Sequence, residues 1–252
     1  MTAGDRQASS SGRPDRSARL LLWLGLAWIF VFAFFHAFPA ADTGVSALFC
    51  AGDARPDAAC GLFPARKHWL TDIFRAVFYW VPIAALAALA LDIGRHYRRR
   101  EEADRERVKA EILALAAYLA GPILLVNGVL KAYSGRPRPV DTSLFGGDHA
   151  FVAVGDLSGA CLSNCSFVSG EAAAAGWLLC LIPLIHGRVR HLAAALLIDV
   201  SLAAPFLRVA MGAHYLSDAM LGWLIGAASL PAVTLIAAAM PKGISATLDR
   251  IR

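Results

Sequence analysis

Six long apolar runs limit this chain to folds that place helices in a lipid bilayer. The runs cover roughly 20–38, 74–92, 111–130, 170–186, 191–207 and 218–240. A transmembrane helix needs about 20 mostly apolar residues to cross the hydrocarbon core, and the mean hydropathy of the whole chain is +0.55. We therefore expect an all-α, polytopic membrane protein, a six-helix bundle formed by residues 20–240. The fifth run is the weakest because Asp199 interrupts it.

Lysine and arginine residues gather on one side of this six-span arrangement. They occur in the N-terminal tail 1–19, in the loop after the second span, in the loop with Arg188 and Arg190, and in the tail 241–252. Because cytoplasmic loops carry an excess of Lys and Arg, we expect these segments to face the cytoplasm, with 1–19 a disordered tail. A cleaved signal peptide at 20–38 is disfavoured because its apolar core is too long.

The net charge of +5 is explained by this topology and by attraction to anionic lipid headgroups. The most basic loop lies between residues 95 and 109, where acidic residues offset much of the positive charge. Such mixed charge is not typical of a nucleic-acid site. We expect membrane lipids as partners and no nucleic acid, and the sequence does not predict an oligomeric state.

Four cysteines form two local pairs in loops that this topology places outside the cytoplasm. Cys50 and Cys60 lie in the first outer loop, Cys161 and Cys165 lie in the third, and Cys180 is alone inside a span. Disulfides persist in oxidising compartments, so we expect two structural disulfides. A metal site at the second pair is disfavoured because no His or third Cys stands at ligand spacing.

Three polar clusters stand at the ends of apolar runs, and the predicted topology brings them all to the outer face. They are 131–139 (KAYSGRPRP), 166–171 (SFVSGE) and 208–218 (RVAMGAHYLSD). Four helix ends would thus meet at one depth on one side of the membrane. The topology was assigned from hydropathy and charge alone, without using these clusters. Their meeting at one face therefore predicts a functional site there.

The first two clusters contain groups that bind phosphate. Lys131, Arg136 and Arg138 supply ammonium and guanidinium donors, and guanidinium matches phosphate oxygens bidentately. Ser169 can cap a helix whose first N–H groups attract an anion, and Gly170 allows close approach. Taken singly, the cations could be snorkelling side chains and the Ser-Gly pair an ordinary helix cap. Their combination favours phosphate binding.

The third cluster adds a possible nucleophile. His214 and Asp218 are four residues apart on one face of a helix start, where the carboxylate can accept a hydrogen bond from one ring nitrogen. The other nitrogen is then unprotonated and nucleophilic. Arg208 has no local acidic partner and is costly so near the apolar core, which favours a function. An interfacial histidine in a capping arrangement is the alternative.

The order Lys-x6-Arg-Pro, Ser-Gly before a helix, and Arg-x5-His-x3-Asp resembles the type 2 phosphatidic acid phosphatase (PAP2) superfamily of membrane lipid phosphatases. The resemblance implies an all-helical fold, metal-independent hydrolysis without a cofactor, and a phosphohistidine intermediate. It implies His214 as the nucleophile and Asp218 as the residue that orients it. The implied phosphate ligands are Lys131, Arg138, Ser169, Gly170 and Arg208.

The second motif departs from the family pattern. Pro-Ser-Gly-His is usual, whereas this chain has Val168-Ser169-Gly170-Glu171, and Leu207 replaces the usual Ser before the third-motif arginine. The missing histidine is the family's usual proton donor. We expect Glu171 to take that role, with His149 as the second candidate. Arg136 lies outside the shared pattern.

These features predict a bacterial inner-membrane hydrolase of phosphoric monoesters or diphosphates, with its active site facing the periplasm. The string at 166–171 is similar to that of lipid A 1-phosphatase-like members, which makes lipid A 1-phosphate the favoured substrate. Undecaprenyl diphosphate phosphatase, phosphatidylglycerophosphate phosphatase and lipid-to-lipid phosphotransferase are the enzymatic alternatives. A pseudoenzyme that binds lipid phosphate is disfavoured because the nucleophile and the cations are all present.

Overall fold

Helices form the regular structure of the residues that the computed structural model describes, 3–52, 60–99 and 105–240. In chain order they are α1 (Ala3–Ala37), α2 (Pro39–Leu48), α3 (Trp69–Arg99), α4 (Arg105–Tyr118), α5 (Gly170–Leu178), α6 (Arg190–Ala210) and α7 (Leu216–Ala239). Helix α4 continues as the π-helical stretch Leu119–Leu130 and the turn Lys131–Tyr133. A 3-10 turn, Pro64–Lys67, precedes α3. The predicted all-α class is confirmed.

Within the part of the chain that the structure describes, five helical segments are long and apolar enough to cross a membrane: Asp15–Ala37, Trp69–Arg98, Arg105–Tyr133, Arg190–Ala210 and Leu216–Ala239. They correspond to five of the six apolar runs, including the fifth despite its aspartate. The fourth run forms nine residues of α-helix followed by six of 3-10 helix, Leu179–Leu184. That segment is about 25 Å long, against a hydrocarbon core of about 30 Å. The count of six spans therefore stays a prediction.

The short helix α5 lies in the centre of the bundle, where protein rather than lipid surrounds it. Trp177 and Leu178 are fully buried. Glycines bring α5 against α7, because a Cβ atom on Gly226 would overlap the carbonyl oxygen of Ala173 and one on Gly176 would overlap a carbonyl of α7. Small residues allow such close backbone approach between membrane helices. The N-terminal ends of α5 and α7 are thereby held side by side.

The first helix extends beyond its apolar run. Helix α1 begins at Ala3, and a helix already nucleated in an apolar span extends by one hydrogen bond per added residue. The disordered tail expected for 1–19 and the bounds of the catalytic domain stay predictions. The tail predicted for 241–252 lies outside the described residues.

Both predicted disulfides are confirmed. Cys50 pairs with Cys60, and Cys161 pairs with Cys165. Cys180 is free and buried. The first disulfide belongs to a buried apolar cluster that includes Phe145 and Tyr215, and Tyr215 immediately precedes α7. The disulfide-bonded loops therefore pack around the helix ends where the three polar clusters were predicted to meet.

The disulfides provide a test of sidedness. If the loops lie outside the cytoplasm, a membrane-impermeant thiol reagent added to intact spheroplasts should label the partly exposed Cys50 and Cys161 only after reduction, because each is oxidised until its disulfide is broken. Buried Cys180, which forms no disulfide, serves as an internal control that stays unlabelled. Labelling of Cys50 and Cys161 without reductant would remove the disulfide assignment. Labelling that requires lysis of the membrane would invert the topology.

Candidate active site

The three polar clusters meet at one end of the bundle. Asp218 at the start of α7 accepts hydrogen bonds from Arg136 of the first cluster at 2.6 Å and from Ser166 of the second at 2.5 Å. The backbone N–H of Ser169 also donates to the Asp218 carbonyl at 3.0 Å. The convergence that hydropathy and charge predicted is therefore present in the structure.

His214 is held in one tautomer by the backbone. Its Nδ1 atom lies 2.8 Å from the carbonyl oxygen of Ser166. A carbonyl can only accept a hydrogen bond, so Nδ1 carries the proton and Nε2 of the neutral ring keeps a free lone pair. The residue is 2% exposed, and its neighbour Ala213 lines a cavity. Nε2 is therefore the nitrogen available for reaction.

The predicted contact between Asp218 and His214 is wrong. The Asp218 carboxylate bends back to cap its own helix, where one oxygen accepts from the backbone N–H of Tyr215 at 3.0 Å. The same oxygen accepts from the Ser166 hydroxyl at 2.5 Å. Asp218 therefore positions His214 indirectly, by fixing the residue whose carbonyl holds the ring.

Arg136 is a buried anchor rather than a phosphate ligand. Its side chain is 1% exposed and bonds Asp218 at 2.6 Å and Asp42 at 2.8 Å. It also donates to the Val152 carbonyl at 2.8 Å and to the Ser217 hydroxyl at 2.9 Å. Its guanidinium nitrogens donate to these acceptors within the fold. The group is therefore not available to a ligand in the cavity.

Asp42 is a site residue that the sequence analysis missed. It lies in α2, fully buried, and accepts from the backbone N–H and the hydroxyl of Ser217 at 2.9 and 2.5 Å. Burial raises the pKa of this carboxyl, and the charge of Arg136 opposes that rise. An isolated aspartate 175 residues before Ser217 belongs to none of the three motifs. Nothing in the sequence therefore distinguishes it.

Three cations act most strongly on the His214 ring. Burial holds the pKa of His214 well below its ordinary value near 6.5, and the charges of Arg208, Lys131 and Arg138 lower it further. A positive ring is disfavoured both by removal from water and by nearby like charges. His214 is accordingly neutral at neutral pH, which is the state a nucleophile requires.

Asn164 positions two of these cations, and the sequence analysis also missed it. Its side-chain oxygen accepts from Lys131 at 3.1 Å, and its carbonyl oxygen accepts from Arg138 at 3.0 and 3.2 Å. Asn164 has a left-handed φ of 50°, a conformation that asparagine tolerates better than most residues. It lies within the loop closed by the Cys161–Cys165 disulfide. That disulfide thus supports two predicted phosphate ligands.

A cationic cavity of about 180 Å³ opens beside His214. It is lined by Arg66, Asp72, Arg75, Arg138, Arg208, Met211 and Ala213. Glu171 lies between two of these arginines, 3.6 Å from Arg75 and 3.5 Å from Arg208. The Nε atom of Arg208 is buried without a hydrogen-bond partner among the described residues. A buried donor without an acceptor is costly, and an oxygen of a bound anion would satisfy it.

The remaining predicted residues have simpler surroundings. Ser169 is buried and accepts from the Ala172 N–H at 3.3 Å as the N-cap of α5, which begins at Gly170. His149 is exposed in the loop after the first motif and does not line the cavity. Within the described ranges, no group of three His, Cys, Asp or Glu residues could hold a metal ion. Phosphate binding by Ser169 and Gly170, and independence from metals, stay predictions.

Known proteins are similar to this chain over most of its length. Residues 111–240 match the PAP2 superfamily. Lipid A 4′-phosphatase of Rhizobium leguminosarum is 42% identical over 81% of this chain and 89% of its own length, and that of Rhizobium etli is 40% identical over 84% and 85%. Lipid A 4′-phosphatase of Francisella tularensis subsp. novicida is 31% identical over 80% and 88%.

A solved structure shares the fold. The PAP2-type phosphatidylglycerolphosphate phosphatase of Bacillus subtilis superposes with a TM-score of 0.55 over 92% of this chain and 98% of that chain. The sequence identity is 17%, so this likeness describes the architecture alone. It agrees with the all-helical membrane fold described above.

Mutation of two arginines in one loop should affect two different properties, stability for Arg136 and phosphate binding for Arg138. Arg136→Gln leaves Asp42 and Asp218 buried without their cation, and breaking a buried ion pair costs about 3–5 kcal/mol. Arg138→Gln removes a half-buried side chain whose hydrogen-bond acceptor is the Asn164 carbonyl. We expect a large loss of thermal stability in detergent for Arg136→Gln, and for Arg138→Gln weaker binding of inorganic phosphate with little loss of stability. Equal destabilisation of the two proteins would contradict the anchoring role of Arg136.

Proposed function

The chain belongs to the PAP2 superfamily and is a membrane lipid phosphatase, and we propose that it removes the 4′-phosphate of lipid A. The observation that carries the chemistry is the free Nε2 of His214, whose Nδ1 proton is bound by the Ser166 carbonyl at 2.8 Å. Two relatives at 40–42% identity are named for the 4′ position. Their names favour the 4′ position over lipid A 1-phosphate, the expectation that rested on one short string of residues.

The proposed reaction has two displacements at phosphorus. Nε2 of His214 attacks the phosphorus atom, a P–N bond forms, and the bond from phosphorus to the sugar oxygen breaks as that oxygen takes a proton. A water oxygen then attacks the phosphorus atom of the phosphohistidine, the P–N bond breaks, and one water proton goes to the group that protonated the sugar oxygen, which releases inorganic phosphate. His214 returns to its neutral form, and all atoms and protons balance.

Lys131, Arg138 and Arg208 would stabilise the charge that the phosphate oxygens carry during both steps. They are the cations whose charges act most strongly on the His214 ring, and Arg138 and Arg208 also line the cavity. Arg208 brings a buried Nε–H that makes no hydrogen bond among the described residues, with the Glu171 carboxylate 3.5 Å away. Fixed cations in a site shielded from water act with little reorganisation, which is often the largest contribution to catalysis.

Glu171 is the proposed proton donor in place of the family's histidine. It is adjacent to Gly170 at the start of α5 and contacts Arg208, one of the proposed phosphate ligands. A bound phosphate repels the Glu171 carboxylate and competes for Arg208. A proton on Glu171 relieves this repulsion and is then available to the leaving oxygen.

The proposed location is the bacterial inner membrane, with the active site at the periplasmic face. Support comes from the distribution of Lys and Arg and from the two disulfides in loops at the site's end of the bundle. Disulfides are rare in the reducing cytoplasm. The multi-pass character itself follows from the apolar helices and the membrane phosphatase relatives.

The substrate assignment is tested by the position of dephosphorylation. Purified protein incubated with lipid A 1,4′-bisphosphate should yield the 1-monophosphate and inorganic phosphate, identified by mass spectrometry of the product and its fragments. The His214→Ala protein, which should still fold, is the matched inactive control. Release of the 1-phosphate, or transfer of phosphate to a second lipid without free phosphate, would contradict the assignment.

The role of Glu171 is tested by leaving groups of different basicity. The 4′-oxygen leaves as a poor sugar alkoxide, so Glu171→Gln should lower its release by a factor on the order of 10²–10⁴. A lipid diphosphate, whose leaving group is itself a phosphate, should be affected far less because it needs little protonation. Small, equal losses on both substrates would show that Glu171 is only a helix-start residue.

A further inference from the structure

We propose that Arg66 and Arg75 form a second anion subsite, which binds an anionic group of the substrate other than the phosphate that reacts. This inference rests on the proposed lipid phosphatase function, because it places the reacting phosphate at His214. Neither arginine belongs to the three sequence motifs. Both line the same cavity as Arg138 and Arg208.

The cations of the site are arranged in two groups. Arg208, Lys131 and Arg138 are the charges with the strongest effect on the His214 ring. Arg66 and Arg75 are not among these three but line the same cavity as Arg138 and Arg208, and their charges further lower the pKa of Arg138, which burial lowers first. One molecule bound in this cavity can therefore contact both groups of cations.

The two outer arginines come from a different part of the fold. Arg66 lies in the 3-10 turn Pro64–Lys67, and Arg75 lies in the second turn of α3. The inner cations come from the end of the third span, the loop that follows it, and the end of α6. The cavity is thus lined by two motif cations, Arg138 and Arg208, and by two non-motif cations, Arg66 and Arg75.

The ion pairs of the cavity leave one arginine available to a second anion. Arg66, Arg75, Arg138 and Arg208 line it together with the carboxylate of Asp72. Glu171 lies 3.6 Å from Arg75 and 3.5 Å from Arg208. Among the described residues Arg66 has no carboxylate within 4 Å, so its guanidinium is available to a ligand.

Guanidinium binds phosphate and carboxylate with the same bidentate geometry, so the subsite chemistry is that of an oxyanion. The test compares three glycolipids that share one 4′-phosphate. The first has no other anionic group, the second has an additional phosphate, and the third has an additional carboxylate on an attached sugar. The two extended substrates distinguish the two sources of the oxyanion.

Arg66→Ala is the principal variant because removal of the Arg66 side chain disturbs no ion pair within the described ranges of the chain. We expect kcat/KM to fall about 10- to 100-fold on a substrate with the matching second anion, and less than about 3-fold on the substrate with none. Arg75→Ala should show the same selectivity, and Arg66→Lys should recover part of the loss. Lys67→Ala is the matched control, because it removes a neighbouring exposed cation that does not line the cavity.

Equal losses on all three substrates would overturn the proposal, since Arg66 would then act on the reacting phosphate or on the fold. No loss on any substrate would also overturn it. If the wild-type protein hydrolyses none of them, the phosphatase function fails independently. Equilibrium binding of the same three lipids to the His214→Ala protein, with and without Arg66→Ala, then gives the same comparison without turnover.

Discussion

The site depends on a buried guanidinium placed between two buried carboxylates. Arg136 joins Asp42 of α2 to Asp218 of α7, and its partners lie 94 and 82 residues away in the chain. Charges removed from water are tolerated only when their partners and hydrogen bonds are complete. Ser217 completes this set by donating to Asp42 and accepting from Arg136. The three segments are therefore fixed relative to one another before any substrate arrives.

Catalytic geometry follows from that anchor through a short series of contacts. Asp218 holds the Ser166 hydroxyl, and the Ser166 carbonyl holds Nδ1 of His214. The anchor leaves Arg138, only two residues after Arg136, free to face the cavity. One arginine of the loop thus organises the protein while the other is available to the ligand. A neutral, oriented imidazole can then persist among cations that would oppose its protonation.

The sequence predicted the parts of this structure that depend on local pattern. Hydropathy located the five candidate spanning helices of the described residues, charge brought the polar clusters to one face, and spacing identified the disulfide pairs. The fourth run forms a shorter segment than the others, because a central helix such as α5 is surrounded by protein and needs no full bilayer length. Composition does not encode this tertiary context.

Contacts between distant segments account for what the sequence missed. Asp42 and Asn164 belong to none of the sequence motifs. Their roles depend on the residues to which they are hydrogen-bonded in the folded protein. The four-residue spacing of His214 and Asp218 suggested a direct bond, but helix capping turned the carboxylate toward Tyr215 and Ser166. Spacing limits which side chains can meet, whereas competing hydrogen-bond donors decide which do.

Trapping the covalent intermediate tests the central claim most directly, since every feature above serves to present Nε2 of His214 to phosphorus. Lipid A with a radiolabelled 4′-phosphate is mixed with the protein, the reaction is quenched in alkali within milliseconds, and the labelled peptide is sequenced. The account predicts an acid-labile, alkali-stable phosphate on His214 that forms and decays at rates compatible with turnover. Turnover by the His214→Ala protein at the wild-type rate, or a label on another residue, would contradict it.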